Sequence, residues 1–170
     1  MKFQILTLGC KVNQTESDQA EQQLRAYGHS LSETLSDADL ILINSCTVTH
    51  VADRKSRQLI SRALRGNSHG QIVLTGCLPD NPGLDLDIDS RIELVRKKDL
   101  FLWLLQFSPG NVMDSVGSSG KRVRQFIKIQ DGCDQFCSYC IVPFVRTRLH
   151  SLRPDMIIDR VQNALNKGIK

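Results

Sequence analysis

Three short and nearly continuous apolar runs mark the first half of the chain. They cover residues 3–8 (FQILTL), 40–43 (LILI) and 72–75 (IVLT). An apolar run of this length without alternation is typical of a strand that is covered on both faces, as in a parallel sheet. The pattern therefore predicts three buried strands.

Helical periodicity fills the segments between these runs. After the first run, Ala20, Leu24 and Tyr27 recur at helical spacing, and Gly28 is placed to end the helix. After the second run a longer apolar stripe is followed by Gly66, which we expect to stop the helix. The stripe consists of Ala52, Leu59, Ile60, Ala63 and Leu64. Strand–helix alternation of this kind predicts right-handed βαβ units and a parallel sheet.

The pattern changes after a fourth predicted strand at 92–95 and a helix around 99–107. Residues 108–120 (SPGNVMDSVGSSG) are rich in Gly and Ser, which is typical of a linker. We therefore assign residues 1–110 to an N-terminal domain, 111–123 to a linker and 124–170 to the start of a second domain.

The second domain is predicted to contain one strand and one helix. Residues 124–130 (RQFIKIQ) are strand-like, 131–149 form a cysteine-bearing loop, and 154–167 are helical between Pro154 and Gly168. One βα unit cannot bury its own apolar face. We therefore expect the second domain to be truncated near Ile169, where another strand should begin.

Composition and charge set looser limits on function. The 170 residues are 41% hydrophobic and 24% charged, which suits one ordinary globular core. The net charge of +4 leans toward acidic partners such as RNA, although a solvated basic surface explains it equally well. The first apolar run is too short for a signal peptide or a membrane span, so we expect a cytoplasmic protein that does not bind a membrane.

Three cysteines each follow a predicted strand directly, in the contexts TLGC, INSC and LTGC. These strand-end cysteines are Cys10, Cys46 and Cys77. Ligands of parallel α/β sheets bind at the carboxyl ends of the strands, so the three thiols are placed to converge. Thiolates select zinc, copper(I) or iron–sulfur clusters, and structural zinc normally takes four protein ligands. Three isolated cysteines favour a cluster with one open iron, and three unrelated core cysteines are the alternative.

Three further cysteines form a compact C-x₃-C-x₂-C group. These loop cysteines are Cys133, Cys137 and Cys140. The group has no fourth cysteine and differs from the ferredoxin run. His150 is the only nearby residue that would complete a zinc shell, and Arg146, Arg148 and Arg153 disfavour a cation there. A cluster with an open iron is again favoured over zinc, and a disulfide framework is disfavoured in a reducing compartment.

At these residues the chain resembles the radical S-adenosylmethionine methylthiotransferases. GCDQFCSYCIVPFVR is similar to the signature loop of that family, and NSCTVTHVADRKSRQLI resembles its second-cysteine segment. TLGCKVNQTES resembles the branch that modifies N6-threonylcarbamoyladenosine in tRNA. Other branches act on isopentenyladenosine in tRNA or on a ribosomal protein. One departure is Thr147, which stands where the family usually has glycine.

The resemblance implies a fold class and two cofactors. The fold is α/β, with a flavodoxin- or Rossmann-like N-terminal parallel-sheet domain followed by the first βα unit of a truncated radical-SAM TIM-like barrel. The loop cysteines would hold a [4Fe–4S] cluster whose open iron binds S-adenosyl-L-methionine, which is cleaved to a 5′-deoxyadenosyl radical. The strand-end cysteines would hold an auxiliary [4Fe–4S] cluster that carries the sulfur. That sulfur and a methyl group would be added at C2 of adenosine 37.

The resemblance also implies partners and weaker site residues. The partners are the anticodon loop of tRNA and an electron donor such as flavodoxin or ferredoxin, and we expect a monomer. Tyr139 is similar to an aromatic that packs near the cofactor, with core packing as the alternative. Asn13 either orients the loop beside Cys10 or caps the next helix, and Asn13 and Arg146 are candidates for substrate contact. No side chain is assigned a catalytic role.

Two groups of basic residues suit phosphate contacts, with a solvated face as the alternative. They are Arg54, Lys55, Arg57, Arg62 and Arg65 in one helix, and Arg122, Arg124, Lys128, Arg146, Arg148 and Arg153 around the second site. The later barrel strands and the RNA-binding domain of the family are missing, so we expect the 170-residue chain alone to be inactive. Two other classes remain open: a non-catalytic iron–sulfur electron carrier and a zinc-stabilised RNA-binding module.

Overall fold

The computed structural model describes residues 1–81, 89–109, 125–166 and 168–169. The predicted linker at 111–123 lies outside the described residues, as do Arg122 and Arg124. The division into domains at 110 and 124 therefore stays a prediction.

A five-stranded sheet forms the first part of the fold, and every neighbouring pair in it is parallel. Its order is β2-β1-β3-β4-β5, the flavodoxin-like order. The strands are β1 (Lys2–Thr7), β2 (Ser30–Leu31), β3 (Leu40–Ser45), β4 (Gln71–Gly76) and β5 (Ile92–Leu94). The predicted α/β fold with a parallel sheet is confirmed. Strand β2 was not predicted, because two exposed residues carry no periodicity.

The sheet is covered on both faces, which explains the continuous apolar runs. On one face Leu40 and Leu42 of β3 pack in a cluster with Leu24 of helix α1 (Lys11–Ala26). On the other face Ile41 and Ile43 pack with Ala63 of helix α2 (His50–Gly66). Successive residues of a strand point to opposite faces, so a doubly covered strand needs apolar residues at every position.

The first two helices end at or next to the glycines that were predicted to end them. Gly28 has φ +82° just beyond α1, and its N–H donates to the Arg25 carbonyl. Helix α2 begins where the Thr49 hydroxyl accepts a hydrogen bond from the Ala52 N–H at 3.1 Å, and it ends at Gly66. The helix predicted around 99–107 is a short helix, α3 (Leu100–Leu104), between two 3₁₀ turns.

The second part of the chain differs from its prediction at the first strand. Residues 125–129 form no strand, so the strand predicted over 124–130 is wrong there. Instead β6 (Gln130–Asp131) pairs antiparallel with β7 (His150–Ser151). A parallel partner would have to arrive after a further crossover, whereas the returning cysteine loop offers an antiparallel partner directly.

Two helices complete the described structure. A single turn, α4 (Val142–Val145), follows the loop cysteines, and α5 (Pro154–Asn166) confirms the predicted C-terminal helix. Within the described ranges, no helix is both long and apolar enough to cross a membrane.

Candidate functional site

The strand-end cysteines lie at the carboxyl edge of three adjacent strands. Cys10 follows β1, Cys46 follows β3 and Cys77 follows β4. In a sheet of this order the helices after β1 and β3 leave on opposite faces, which opens the crevice where ligands bind. Cys10 and Cys46 flank that crevice, as the strand-end positions predicted.

Backbone contacts hold two of these cysteines firmly. The Ser56 hydroxyl accepts from the Cys46 N–H at 3.1 Å and donates to the Cys46 carbonyl at 2.7 Å. The Cys77 N–H donates to the Ser45 carbonyl at 2.9 Å. Cys46 and Cys77 are buried, with 5% and 1% exposure, whereas Cys10 is exposed. No disulfide links any of the six cysteines.

Glycine precedes three of the six cysteines, and each of these glycines has a positive φ. The angles are +133° at Gly9, +94° at Gly76 and +76° at Gly132. A Cβ on Gly76 would overlap the Ser45 backbone and lie 2.6 Å from the Asn44 Oδ1, and a Cβ on Gly132 would overlap the Arg148 carbonyl. Only glycine combines this φ with such close backbone approach. The G–C dipeptides are therefore turns that aim the cysteines.

A buried amide network ties the Cys10 turn to β3. Asn13 Oδ1 accepts from the Cys10 thiol at 3.2 Å, and Asn13 Nδ2 donates to Asn44 Oδ1 at 3.0 Å and to the Ser45 carbonyl at 2.9 Å. Asn44 in turn donates to the Asn13 carbonyl and to Ser17. Cys10, not Asn13, occupies the N-cap of α1, so the predicted capping role is wrong and Asn13 orients Cys10. Its contact with substrate stays a prediction.

Arg146 is buried at the centre of an ion network. Its Nη1 lies 3.2 Å from Glu16 Oε1 and 2.6 Å from Asp131 Oδ1, and its Nη2 lies 3.2 Å from Asn13 Oδ1. The side chains of Arg146 and Glu16 are 7% and 1% exposed. These contacts occupy the guanidinium with protein groups, and substrate contact by Arg146 stays a prediction.

Two lysines extend the network. Lys128 lies 2.9 Å from Glu16 and 3.2 Å from Asp131, and Lys97 lies 3.3 Å from Asp131. Three cations therefore share two carboxylates. Arg146 and Lys97 of this network also lie near Cys77, where their charges lower the pKa of the thiol.

Burial and charge act against each other at these groups. Burial raises the pKa of the Cys77 thiol, and the facing Arg146 opposes that rise. Burial also disfavours the charged form of Asp131, yet the hydrogen bond from Arg146 and the nearby lysines outweigh it and hold the pKa of Asp131 well below its usual range. For Lys97, burial and the charge of Arg146 lower the pKa. At Cys77, burial thus favours the neutral thiol, whereas Arg146 and Lys97 favour the thiolate.

The loop cysteines lie on a more open surface. Cys137 is exposed, whereas Cys133 and Cys140 are half-buried. The Cys140 N–H donates to the Cys137 carbonyl at 3.0 Å. Tyr139 is 90% exposed, so the alternative that it packs in the core is wrong, and its role next to a cofactor stays a prediction.

The six thiols are soft donors of the kind that iron–sulfur clusters require. In the part of the chain that the structure describes, no three His, Cys, Asp or Glu side chains lie close enough together to hold one metal ion. A [4Fe–4S] cube places each cysteine on a different iron, so its ligands do not meet at one point. The buried Thr75 hydroxyl, two residues before Cys77, also lacks a hydrogen-bond partner among the described residues. Cluster sulfides accept hydrogen bonds of that kind.

Helix α2 presents a basic ridge beside this site. Arg54, Lys55, Arg62 and Arg65 are exposed, and none has an ion pair among the described residues. At 3.6 residues per turn they fall within an arc of about 100° over a length of about 16 Å. Arg57 lies about 60° outside this arc and pairs with Asp53 at 3.0 Å. The basic ridge is defined here as those four unpaired residues.

Sequence reasoning missed Glu16, Asp131 and Lys97. One signal was present for Glu16, which lies at helical spacing from Ala20 and Leu24 and so shares the buried face of α1. A carboxylate on an apolar stripe requires a buried partner. Nothing local identifies that partner as Arg146, 130 positions further on.

Known proteins match along nearly the whole chain. The model of a family described as "Uncharacterized protein family UPF0004" matches residues 2–95. The chain is 34% identical to the threonylcarbamoyladenosine tRNA methylthiotransferase MtaB of Bacillus subtilis (strain 168), over 96% of its length. It is 32% identical to the protein of that name from Chlamydia pneumoniae, over 99% of its length. It is 32% identical to the tRNA-2-methylthio-N(6)-dimethylallyladenosine synthase of Syntrophus aciditrophicus (strain SB), over 98% of its length. In each case it spans 41% of the relative.

Proposed function

The chain belongs to the protein family UPF0004, and from its likeness to tRNA methylthiotransferases we propose that it supplies the cluster-binding part of an enzyme that adds a methylthio group to tRNA. The observation that carries this proposal is the placement of the strand-end cysteines on three adjacent parallel strands, with the loop cysteines joined to the same edge by Arg146. We expect the protein to act in the cytoplasm with an electron donor such as flavodoxin or ferredoxin.

Two iron–sulfur clusters would be held by residues of this chain. The strand-end cysteines would hold one cluster and the loop cysteines the other, and when bound these clusters supply one-electron chemistry with S-adenosylmethionine and a site for sulfur. The role of the protein is to fix the positions and orientations of the cysteine thiols. Gly76 sets the turn before Cys77, Ser56 fixes the backbone of Cys46, and Asn13 orients the Cys10 thiol.

We further propose N6-threonylcarbamoyladenosine 37 as the modified nucleoside. The segment TLGCKVNQTES, which contains both Cys10 and Asn13, supports this choice. A second candidate is dimethylallyladenosine (isopentenyladenosine), because relatives named for it match at 32–33% identity, close to the 34% of the first candidate.

Mass spectrometry of tRNA nucleosides from a strain that lacks the gene tests both candidates. We expect the 2-methylthio form of threonylcarbamoyladenosine to disappear and the unmethylthiolated nucleoside to accumulate, because the strain lacks the enzyme that we propose inserts the sulfur. Loss of 2-methylthio-dimethylallyladenosine instead would favour the second candidate. If neither nucleoside changed, and no second enzyme made the product, methylthiolation of tRNA would be excluded.

The basic ridge on α2 is the surface that we propose for the tRNA backbone. Arginine forms paired hydrogen bonds with phosphate, and three of the four ridge residues are arginines without a protein partner among the described residues. The ridge starts at Arg54, about one turn into α2, so the start of the ridge is the part nearest to the carboxyl edge of the sheet.

Replacing all four ridge residues with glutamine should make tRNA binding less sensitive to salt. Each lost phosphate contact lowers the slope of log K against log[salt] by about 0.7–0.9, so the quadruple variant should lose about 3 units of slope. Filter binding of tRNA over a salt series measures this. Arg57→Gln is the matched control, since Arg57 is already paired with Asp53. An unchanged slope would exclude the ridge as a tRNA-binding surface. If the variant were instead no longer reduced by flavodoxin, the ridge would be assigned to binding of the electron donor.

A further inference from the structure

The guanidinium of Arg146 contacts residues that support both cysteine groups. Its Nη2 donates to Asn13 Oδ1, the oxygen that also accepts from the Cys10 thiol. Its Nη1 donates to Asp131, which belongs to the strand that precedes Cys133. Its charge also faces Cys77. Arg146 therefore lies between the carboxyl edge of the sheet and the loop cysteines.

The geometry of this contact needs an arginine. Nη1 reaches Glu16 and Asp131, while Nη2 reaches Asn13 and, at 3.5 Å, the second oxygen of Glu16. A planar guanidinium can donate hydrogen bonds to all of these partners at the same time, whereas a lysine ammonium is a single point of charge on a flexible stem. The partners come from α1 and from β6, so the arginine clamps one part of the chain against the other.

Buried ion pairs of this kind add little net stability, because removing both charges from water costs about as much as their attraction returns. Such pairs instead favour one packing of the two parts over others, because any packing that displaces one partner leaves the other charge buried and unpaired. Three further contacts join the same parts of the chain, of which the shortest is the 2.9 Å ion pair between Lys128 and Glu16. Lys97 reaches Asp131, and the Lys11 ammonium lies 4.6 Å from the centre of the Phe126 ring.

We propose that Arg146 is a positioning residue that holds the loop cysteines in one fixed place against the carboxyl edge of the sheet. In the methylthiotransferase proposed above, on which this consequence rests, that contact sets the separation of the two clusters. The docking itself is a property of the chain without clusters, so it is testable even if the proposed function fails.

Hydrogen–deuterium exchange of the full chain measures the docking directly. In Arg146→Met and in Glu16→Gln we expect amides within residues 128–152 to exchange at least tenfold faster, because the clamp on this segment is lost. The amides of β3 and β4 should keep their protection, since these strands are held by their parallel neighbours and by apolar packing on both faces. Arg148→Met is the matched control, because Arg148 is exposed and lies only two residues away. Arg146→Lys should show an intermediate exchange rate, since lysine keeps the positive charge but lacks the planar guanidinium that contacts several partners at once.

A spectroscopic measurement then separates positioning from a merely structural role. With both clusters reconstituted and reduced, Arg146→Met should lose the magnetic coupling between them in electron paramagnetic resonance while keeping the iron content of the unaltered protein. Unchanged exchange of residues 128–152 in both variants would overturn the proposal. Faster exchange that included β3 and β4 equally would also overturn it, because it would show a general loss of stability. Normal tRNA nucleosides in the deletion strain, with the exchange result as expected, would refute only the proposed function.

Discussion

Replacement of Gly76 by alanine is expected to destabilise the chain by about 3 kcal/mol or more. A non-glycine residue in a sparsely populated positive-φ region costs about 1–3 kcal/mol, and forcing an extra methyl into a packed site costs about 1–3 kcal/mol. Gly76 has φ +94°, and its added Cβ would overlap the backbone of Ser45. For a protein of this size that loss corresponds to a fall in melting temperature of about 6–12 °C.

Gly28→Ala is the control for this prediction. Gly28 has a similar φ of +82°, but no atom lies within 4 Å of the position of its added Cβ. Only the backbone strain remains there, about 1–2 kcal/mol. Chemical denaturation of the two variants should therefore show a clearly larger loss at Gly76. Equal losses would mean that Ser45 does not crowd the turn, and the account of the G–C dipeptide as a close-packed turn would be wrong.

The strands of the sheet and Gly76 show which parts of the site local sequence can predict. The runs that became β3 and β4 were predictable because both faces of these strands are buried, which favours apolar residues at nearly every position. Strand β1 is only partly buried, but Phe3, Ile5 and Leu6 still mark it as a strand. Because parallel strands end at one edge, the common location of the strand-end cysteines followed from the same pattern. The requirement for Gly76 itself depends on the neighbouring strand, and sequence shows only that a glycine is present.

Contacts between distant residues set the limit of what sequence predicted. Glu16 belongs to an apolar stripe, so its burial was detectable, but its partner Arg146 belongs to a segment with no pairing pattern of its own. The failed strand at 125–129 has the same cause. A strand is defined by its hydrogen-bonding neighbour, and the neighbour available to this segment is β7, which pairs with β6 alone. Local propensity carries no information on which neighbour exists.

Replacement of Cys77 by serine in the full-length protein should remove one cluster and leave the other. Serine oxygen is a harder donor than the thiolate that iron–sulfur clusters require. Reconstituted iron should fall from about eight to about four atoms per chain, as expected for the loss of one of two cubane clusters. Formation of the methylthiolated nucleoside should fall at least about a hundredfold, since even outer partners of a metal site contribute ten- to a hundredfold. Iron analysis and nucleoside mass spectrometry measure the two effects.

Cys137→Ser is the reciprocal variant and makes the assignment of the two groups testable. It should also halve the iron, but it alone should abolish release of 5′-deoxyadenosine from S-adenosylmethionine, because the loop cysteines are the group that we propose holds the cluster for that cofactor. Cys77→Ser should retain that release, since Cys77 is buried at the edge of the sheet. If Cys77→Ser kept all its iron, the strand-end cysteines would not be a ligand set. If the unaltered protein bound iron but released no 5′-deoxyadenosine, an electron carrier would explain the six cysteines better than a methylthiotransferase, and stoichiometric zinc in place of iron would exclude both.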